Sequence, residues 1–332
     1  MAKIVSLMPQ IYFQDPDTMA TLEAFRDEME FCLDYRPEKI IAAARNAICL
    51  LCPGPYPVIS AEIINALPNL KLIQTAGVGY DKIDIQAAAR AGIPVANTPG
   101  VNTTAVAEII LAAIIILQRR LIYADREIKG GNYRSGREEL LARGMSEISG
   151  GKWGIIGLGR IGSKVAEIGR ILGAEIKYYK PVRKTETEEK QLGVEFCGFE
   201  DLLTGSDVLI ICAPLTEKTR RLIGEREIRM MKRGAILINA ARGGIVDDAA
   251  VAAALAAGHL GGAGLDTFEK EPLPADHPLL SLPEEVRERV FLTPHLGGLT
   301  VQALNRMIVA ALKNCARVLK GERPQAVVNG VE

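Results

Sequence analysis

Gly157, Gly159 and Gly162, in Gly157-Leu158-Gly159-Arg160-Ile161-Gly162, have the spacing that lets a chain approach a pyrophosphate. An apolar, strand-like run at 153–157 leads into them, and a helix is expected to open near Ser163. In that setting the first glycine makes a tight turn, the second admits the phosphates, and the third packs helix on strand. The unpaired N–H groups of the helix N-terminus then face the anion. The chemistry is dinucleotide binding, with Arg160 and Ile161 also placed against the ligand. Three later stretches carry charge on turns rich in glycine or proline: Asn239-Ala240-Ala241-Arg242-Gly243-Gly244, Asp266-Thr267-Phe268-Glu269-Lys270-Glu271-Pro272 and Thr293-Pro294-His295-Leu296-Gly297-Gly298. Each follows a strand-like run, so each lies at the carboxyl edge where doubly wound sheets bind ligands. Arg242, Glu271 and His295 can therefore converge beside a nicotinamide.

The position that reads the ribose departs from the usual pattern. An NAD site carries Asp or Glu about 20 residues beyond the glycines, bonded to the 2′-hydroxyl. Eighteen residues after Gly162 stands Lys180, in Tyr178-Tyr179-Lys180-Pro181-Val182-Arg183-Lys184, with no carboxylate until Glu186. Lys180, Arg183 and Lys184 could pair with a 2′-phosphate, or form only a solvated basic loop. NADP(H) is expected in preference to NAD(H).

These residues need elements to position them. In the first hundred residues, short apolar runs at 4–7, 31–34, 47–51, 70–75 and 93–96 alternate with helical spacing at 18–30 and 61–67. That alternation predicts parallel βαβ units. Pro99-Gly100 breaks the chain, and Asn102 is placed to cap a long helix to Arg120. A second series has six strand-like runs, at 153–157, 175–179, 208–212, 235–238, 262–265 and 290–292, followed by a helix over 300–319. Six is the number in a full dinucleotide-binding sheet. The fold class expected is α/β, with two doubly wound parallel-sheet domains. A Rossmann cofactor domain, 100–295, is inserted into a flavodoxin-like substrate domain, 1–99 plus 296–332.

Together these stretches resemble the D-isomer-specific 2-hydroxyacid dehydrogenase family over nearly the whole chain. Besides the glycine turn, the resemblance is carried by Ala241-Arg242-Gly243-Gly244, Asp266 to Pro272 and Thr293-Pro294-His295. Val106-Ala107-Glu108 and Thr75-Ala76-Gly77-Val78-Gly79-Tyr80-Asp81 also look like family segments. The intervals of 29 from Arg242 to Glu271 and 24 from Glu271 to His295 suit the family as well.

The resemblance implies interconversion of a 2-oxo acid and a D-2-hydroxy acid by hydride transfer with a nicotinamide cofactor. It gives Arg242 the substrate's carboxylate and ketone, held by a planar fork. It makes His295, whose side-chain type titrates near neutrality, the proton donor to the ketone oxygen. Glu271 orients the imidazole and favours its charged form. The backbone N–H groups of Val78 and Gly79 take the substrate carboxylate. Asp266 resembles the contact to the nicotinamide carboxamide, with Ala240 and Gly297 as further cofactor contacts. A homodimer through 106–133 is also implied. Glyoxylate, hydroxypyruvate and larger 2-oxo acids all remain open as substrates, and Tyr12, Tyr56, Tyr80 and Leu299 are either pocket or core.

Other functions share such a scaffold. Phosphite or formate oxidoreductases of the same superfamily are one, although the phosphite enzymes carry a lysine in the stretch matching Gly77-Val78-Gly79. A dinucleotide-sensing corepressor is another; it would add a long polar tail, whereas this chain is expected to stop soon after its last helix. His259 and His277 read as structural.

Composition limits the partners. The chain has 332 residues, 40 basic and 40 acidic, with 48% hydrophobic and 5% aromatic residues. The length suits about two domains. Cancelling charge argues against a nucleic-acid backbone as ligand, and scarce aromatics argue against base stacking. The greasiest run, 109–117, is nine residues, where a spanning helix needs about 20. No signal peptide is expected at the N-terminus. Cys49 and Cys52 have a C-x-x-C spacing, but on a strand they point to opposite faces, and no second pair follows. No metal site is expected, and six buried free thiols fit a reducing, cytoplasmic setting.

Overall fold

Short aliphatic runs become parallel strands in both halves of the chain. The computed structural model describes residues 3–331 apart from 14 and 55. Two units are present: Met1–Asn102 with Gly298–Glu332, and Thr103–Gly297, which lies between those two pieces in sequence.

In the first unit β1 (Ile4–Ser6), β2 (Met29–Phe31), β3 (Cys49–Cys52), β4 (Leu72–Thr75) and β5 (Val95–Ala96) form a parallel sheet in the order β2-β1-β3-β4-β5. Both faces are covered, which is why β3 and β4 are apolar or buried at every position. Leu50 and Cys52 pack with Ile63 and Ile64 on one face. Cys49 and Leu51 pack on the other with Ile308 and Leu312, from the helix Val301–Leu319. The C-x-x-C spacing is thus split by the pleat. All six cysteines are free, four of them buried, whereas Cys197 and Cys212 are only half-buried. Thr300 caps the last helix, accepting from the Ala303 amide at 3.2 Å.

The helix expected over 18–30 ends sooner, at Pro16–Glu23, and the next strand begins earlier than expected. The Glu28 carbonyl explains both shifts. It accepts from Lys3 and Ile4 N–H, each at 2.8 Å, which commits this part of the chain to the sheet.

In the second unit β6 (Lys152–Ile156), β7 (Glu175–Tyr179), β8 (Glu195–Phe196), β9 (Val208–Ile211), β10 (Ile236–Asn239), β11 (Gly262–Leu265) and β12 (Val290–Leu292) form a seven-stranded parallel sheet, ordered β12-β11-β10-β9-β6-β7-β8. The sequence pattern yields six strands. The seventh, β8, is a two-residue edge strand whose Glu195 is exposed, too short to leave a periodic signal. Two helices, Leu121–Lys129 and Tyr133–Arg143, precede β6, and the second of them has almost no apolar periodicity.

The register levels the strand ends. Ile156 pairs with Tyr179 and Ile211, Ile211 with Asn239, Asn239 with Leu265, and Leu265 with Leu292. Gly157, Lys180, Ala240, Asp266 and Thr293 therefore all start loops along one edge. The strand order reverses between β6 and β9, the switch point where such sheets open a ligand crevice. Among the described residues no helix is long and apolar enough to cross a membrane, and no cluster could hold a metal ion.

Candidate active site

The glycine turn is built by contacts that only glycine permits. Gly157 has φ +95°, and a Cβ there would lie 2.7 Å from the Cys212 carbonyl oxygen. A Cβ on Gly162 would meet the Gly157 carbonyl oxygen at 2.2 Å, so helix and turn pack without side-chain room. Gly159 differs: it caps the helix Arg160–Ile171, and its Cβ would meet nothing within 4 Å. The open space in front of that helix N-terminus is a cradle fitted to phosphate groups, so the residues present suit a dinucleotide. Arg160 is exposed and Ile161 half-buried at its rim.

At the end of β7 the three cations have different surroundings. Arg183 is gripped by Glu189 through Nε at 2.8 Å and Nη2 at 2.7 Å, and its guanidinium lies 5.5 Å from the centre of the Phe196 ring. Buried Tyr178 donates to the same carboxylate at 2.6 Å. Arg183 and Tyr178 together hold the Glu189 carboxyl down at about 2. Lys184 pairs with Glu188 at 2.7 Å. The basic stretch is therefore not an island of uncommitted charge. The helix Glu186–Leu192, capped by Thr185, turns Glu188 and Glu189 back onto it. Lys180 has no ion-pair partner among the described residues, and 53% of the Arg183 side chain stays exposed.

The three charged loops are tied to one another. Asn239, buried at the end of β10, accepts from the Ala241 amide at 3.1 Å and donates to the Arg242 carbonyl at 3.0 Å, clipping the turn that carries Arg242. Next to it, a Cβ on Gly243 would come within 1.8 Å of the Phe268 carbonyl oxygen. The Arg242 turn thus presses backbone to backbone on the loop that holds Glu271.

Glu271 uses both oxygens. Oε1 accepts from the Phe268 amide at 3.0 Å, and Oε2 lies 2.8 Å from His295 Nδ1. With Nδ1–H donated to the carboxylate, Nε2 has no protein partner among the described residues. His295 sits at φ +53°, a left-handed conformation uncommon outside glycine. Asp266 holds it there: the Asp266 carbonyl accepts from His295 N–H at 2.9 Å. Its Oδ1 accepts from Thr293 Oγ1 at 2.6 Å and the Leu296 amide at 2.8 Å, and its Oδ2 from the Gly297 amide at 2.9 Å. A carboxylate has about four acceptor sites, so Oδ2 keeps capacity for one more donor. Asp266, Ala240, Thr293 and Ile109 line a single small niche.

Val78 and Gly79 belong to the other unit, in the loop after β4. Asn97 Nδ2 donates to the Val78 carbonyl at 2.8 Å, and the Gly77 carbonyl accepts from Thr75 Oγ1 at 2.8 Å and Thr98 N–H at 3.1 Å. The loop carbonyls are thus committed, whereas the amides of Val78 and Gly79 have no acceptor among the described residues. The remaining histidines make internal bonds, His259 Nε2 to the Ile228 carbonyl at 2.8 Å and His277 Nε2 to Asp248 at 3.2 Å. Asn239 also serves the site, and its only signal in the sequence is an amide closing an apolar strand.

Residues 111–297 match the family described as D-isomer specific 2-hydroxyacid dehydrogenase, NAD binding domain. The chain is 39% identical over 324 residues to a glyoxylate reductase of Aeropyrum pernix, spanning 95% of this chain and 93% of that one. It is 41% identical over 298 residues to a glyoxylate reductase of Thermofilum pendens, spanning 89% and 86%. A Thermus thermophilus protein of known crystal structure is similar with a TM-score of 0.86 and 32% identity, over 98% of this chain and 99% of that one. Matched by the family pattern over more than half its length, and by such relatives over nearly all of it, the chain belongs to the D-isomer-specific 2-hydroxyacid dehydrogenases, nicotinamide-dependent oxidoreductases of 2-oxo and 2-hydroxy acids.

Proposed function

We propose that this enzyme reduces a small 2-oxo acid of the glyoxylate or hydroxypyruvate kind to the D-2-hydroxy acid, using NADP(H) in preference to NAD(H). The observation that carries the reading is the 2.8 Å bond from His295 Nδ1 to Glu271, which leaves Nε2 for a substrate. The glyoxylate reductases among its relatives support the substrate class.

A reduced nicotinamide supplies the hydride when bound. Gly157, Gly159, Arg160, Ile161 and Gly162 would hold its pyrophosphate, with Ala240, Asp266 and Gly297 about the nicotinamide end. Lys180 stands where an NAD site has its carboxylate, and it supports the NADP(H) choice together with Arg183 and Lys184. Arg242 is the group that holds the substrate's carboxylate and ketone, and the free amides of Val78 and Gly79 add donors for the carboxylate. As negative charge builds on the ketone oxygen, His295 gives it the proton on Nε2. Glu271 balances the imidazolium before that transfer and fixes the ring's tautomer after it. In the oxidative direction the neutral Nε2 takes the hydroxyl proton back.

A homodimer through 106–133 is part of the same proposal, supported by exposed Leu121, Ile128 and Tyr133. So is a cytoplasmic location, supported by six unpaired thiols. The testing experiment is a panel of 2-oxo acids with NADPH and with NADH, following cofactor oxidation. Turnover of glyoxylate or hydroxypyruvate, with higher kcat/KM for NADPH, is expected; no turnover of any 2-oxo acid with either cofactor would overturn the proposal.

A further inference from the structure

A second carboxylate–imidazole pair braces the loop that carries Glu271. Asp248 Oδ2 lies 3.2 Å from His277 Nε2, and the two side chains are only 8% and 10% exposed. His277 Nδ1 accepts from the Leu279 amide at 3.4 Å, so the ring's proton sits on Nε2 and is donated to Asp248. Asp248 is also the first residue of the helix Asp248–Ala256, which Asp247 caps through two amides. The carboxylate is thus fixed to a regular element, at the end of a helix that favours negative charge.

From that element the contacts run toward the reacting groups. Asp248 Oδ2 accepts from the Glu269 amide at 3.5 Å. The Phe268 ring stands edge-on to the His277 ring, with centroids 5.9 Å apart. The Phe268 amide in turn donates to Glu271 Oε1 at 3.0 Å, and Glu271 Oε2 reaches His295. Burial raises the Asp248 carboxyl above its usual range, and the nearby Glu269 carboxylate adds to that. A buried ionisable pair is a costly way to fill a core, since apolar groups of the same volume often stabilise as well or better. Its placement under this loop gives it another use.

We propose that Asp248 and His277 are positioning residues for proton transfer: they fix the backbone of Phe268 and Glu269, which aims Glu271 at His295. The inference rests on the roles given above to Glu271 and His295.

The test compares Asp248→Ala and His277→Leu, which remove the pair, with Asp248→Asn and His277→Gln, which keep an acceptor and a donor. For each, kcat and KM are measured in the intact enzyme, along with the proton NMR signal of the His295 Nδ1–H bonded to Glu271. The chain has only 3 histidines, so single substitutions assign the signals. Asp248→Ala and His277→Leu should lose about 10- to 100-fold in kcat, the scale of a small misplacement of reacting groups. KM for the cofactor should stay within about twofold, as expected when the weakened interaction is one made only in the transition state, and the His295 signal should shift or broaden. Asp248→Asn and His277→Gln should recover most of the activity.

Folded Asp248→Ala or His277→Leu with unchanged kcat and an unchanged His295 signal would overturn the inference, as would Asn and Gln variants as impaired as Ala and Leu. If Asp248→Ala does not fold, His277→Leu, which fills the same space, decides by the same criteria. If the wild type turns over no 2-oxo acid, the functional proposal fails while the His295 signal still tests the positioning; an active wild type with an unmoved signal in the variants overturns the positioning alone.

Discussion

His295 Nδ1 lies 2.8 Å from Glu271 Oε2, and the other oxygen of that carboxylate is held by the Phe268 amide at 3.0 Å. The glutamate can neither rotate away nor take up a second orientation without giving up a bond. The imidazole is thereby presented in one tautomer. Glu271→Gln should keep the fold and the cofactor affinity and lower kcat by about 10²–10⁴. Steady-state kinetics beside a cofactor titration would check this, and a near wild-type kcat would remove Glu271 from the proton-transfer step.

The three glycines of the turn should separate into two kinds. A methyl at Gly159 meets no protein atom within 4 Å, whereas one at Gly162 lies 2.2 Å from the Gly157 carbonyl oxygen. Gly159→Ala should leave the Tm of the cofactor-free protein unchanged and weaken dinucleotide binding at least tenfold, through the lost approach of phosphate to backbone. Gly162→Ala should lower Tm, at a cost of about 1–3 kcal/mol for forced overpacking. Calorimetry with and without cofactor would show whether the two effects divide in this way.

Much of this site was legible because its residues stand where the pattern breaks. Arg242, Glu271 and His295 each follow a short apolar run and sit beside glycine or proline, so their place at a strand end could be read from order alone. What could not be read depends on folding back. The Lys184–Glu188 pair is local, at an interval of four, but the grip of Glu189 on Arg183 needs Tyr178 from β7 to complete it. The two residues of β8 carry no periodicity, and Asp248 meets His277 across 29 residues, an interval no local pattern encodes.

Cofactor choice should turn on Lys180. It has no ion-pair partner among the described residues, and it starts the loop after β7, the part of such a fold where NAD sites carry a carboxylate. Lys180→Asp should lower the ratio of kcat/KM for NADPH to that for NADH. An unchanged ratio would assign the preference elsewhere.

The Glu189 carboxyl, held down at about 2 against an ordinary 4.5, gives the fold an acid-sensitive bond. A lowered folded value means stability that is fully present above the unfolded value and lost as pH falls through the folded one. The window is therefore about pH 4.5 down to about pH 2. Glu189→Gln should show a lower Tm at neutral pH and a shallower fall of Tm across that window. Curves that run parallel to wild type would refute the contribution.

In the proposed reaction His295 delivers the proton that accompanies reduction of a 2-oxo acid. Its most direct test is cofactor oxidation by wild type and by His295→Asn with glyoxylate, under saturating cofactor, with cofactor affinity measured in parallel. Turnover in the wild type and a fall of about 10²–10⁴ in the variant are expected, with cofactor affinity retained. Wild-type turnover that persists in His295→Asn would contradict it.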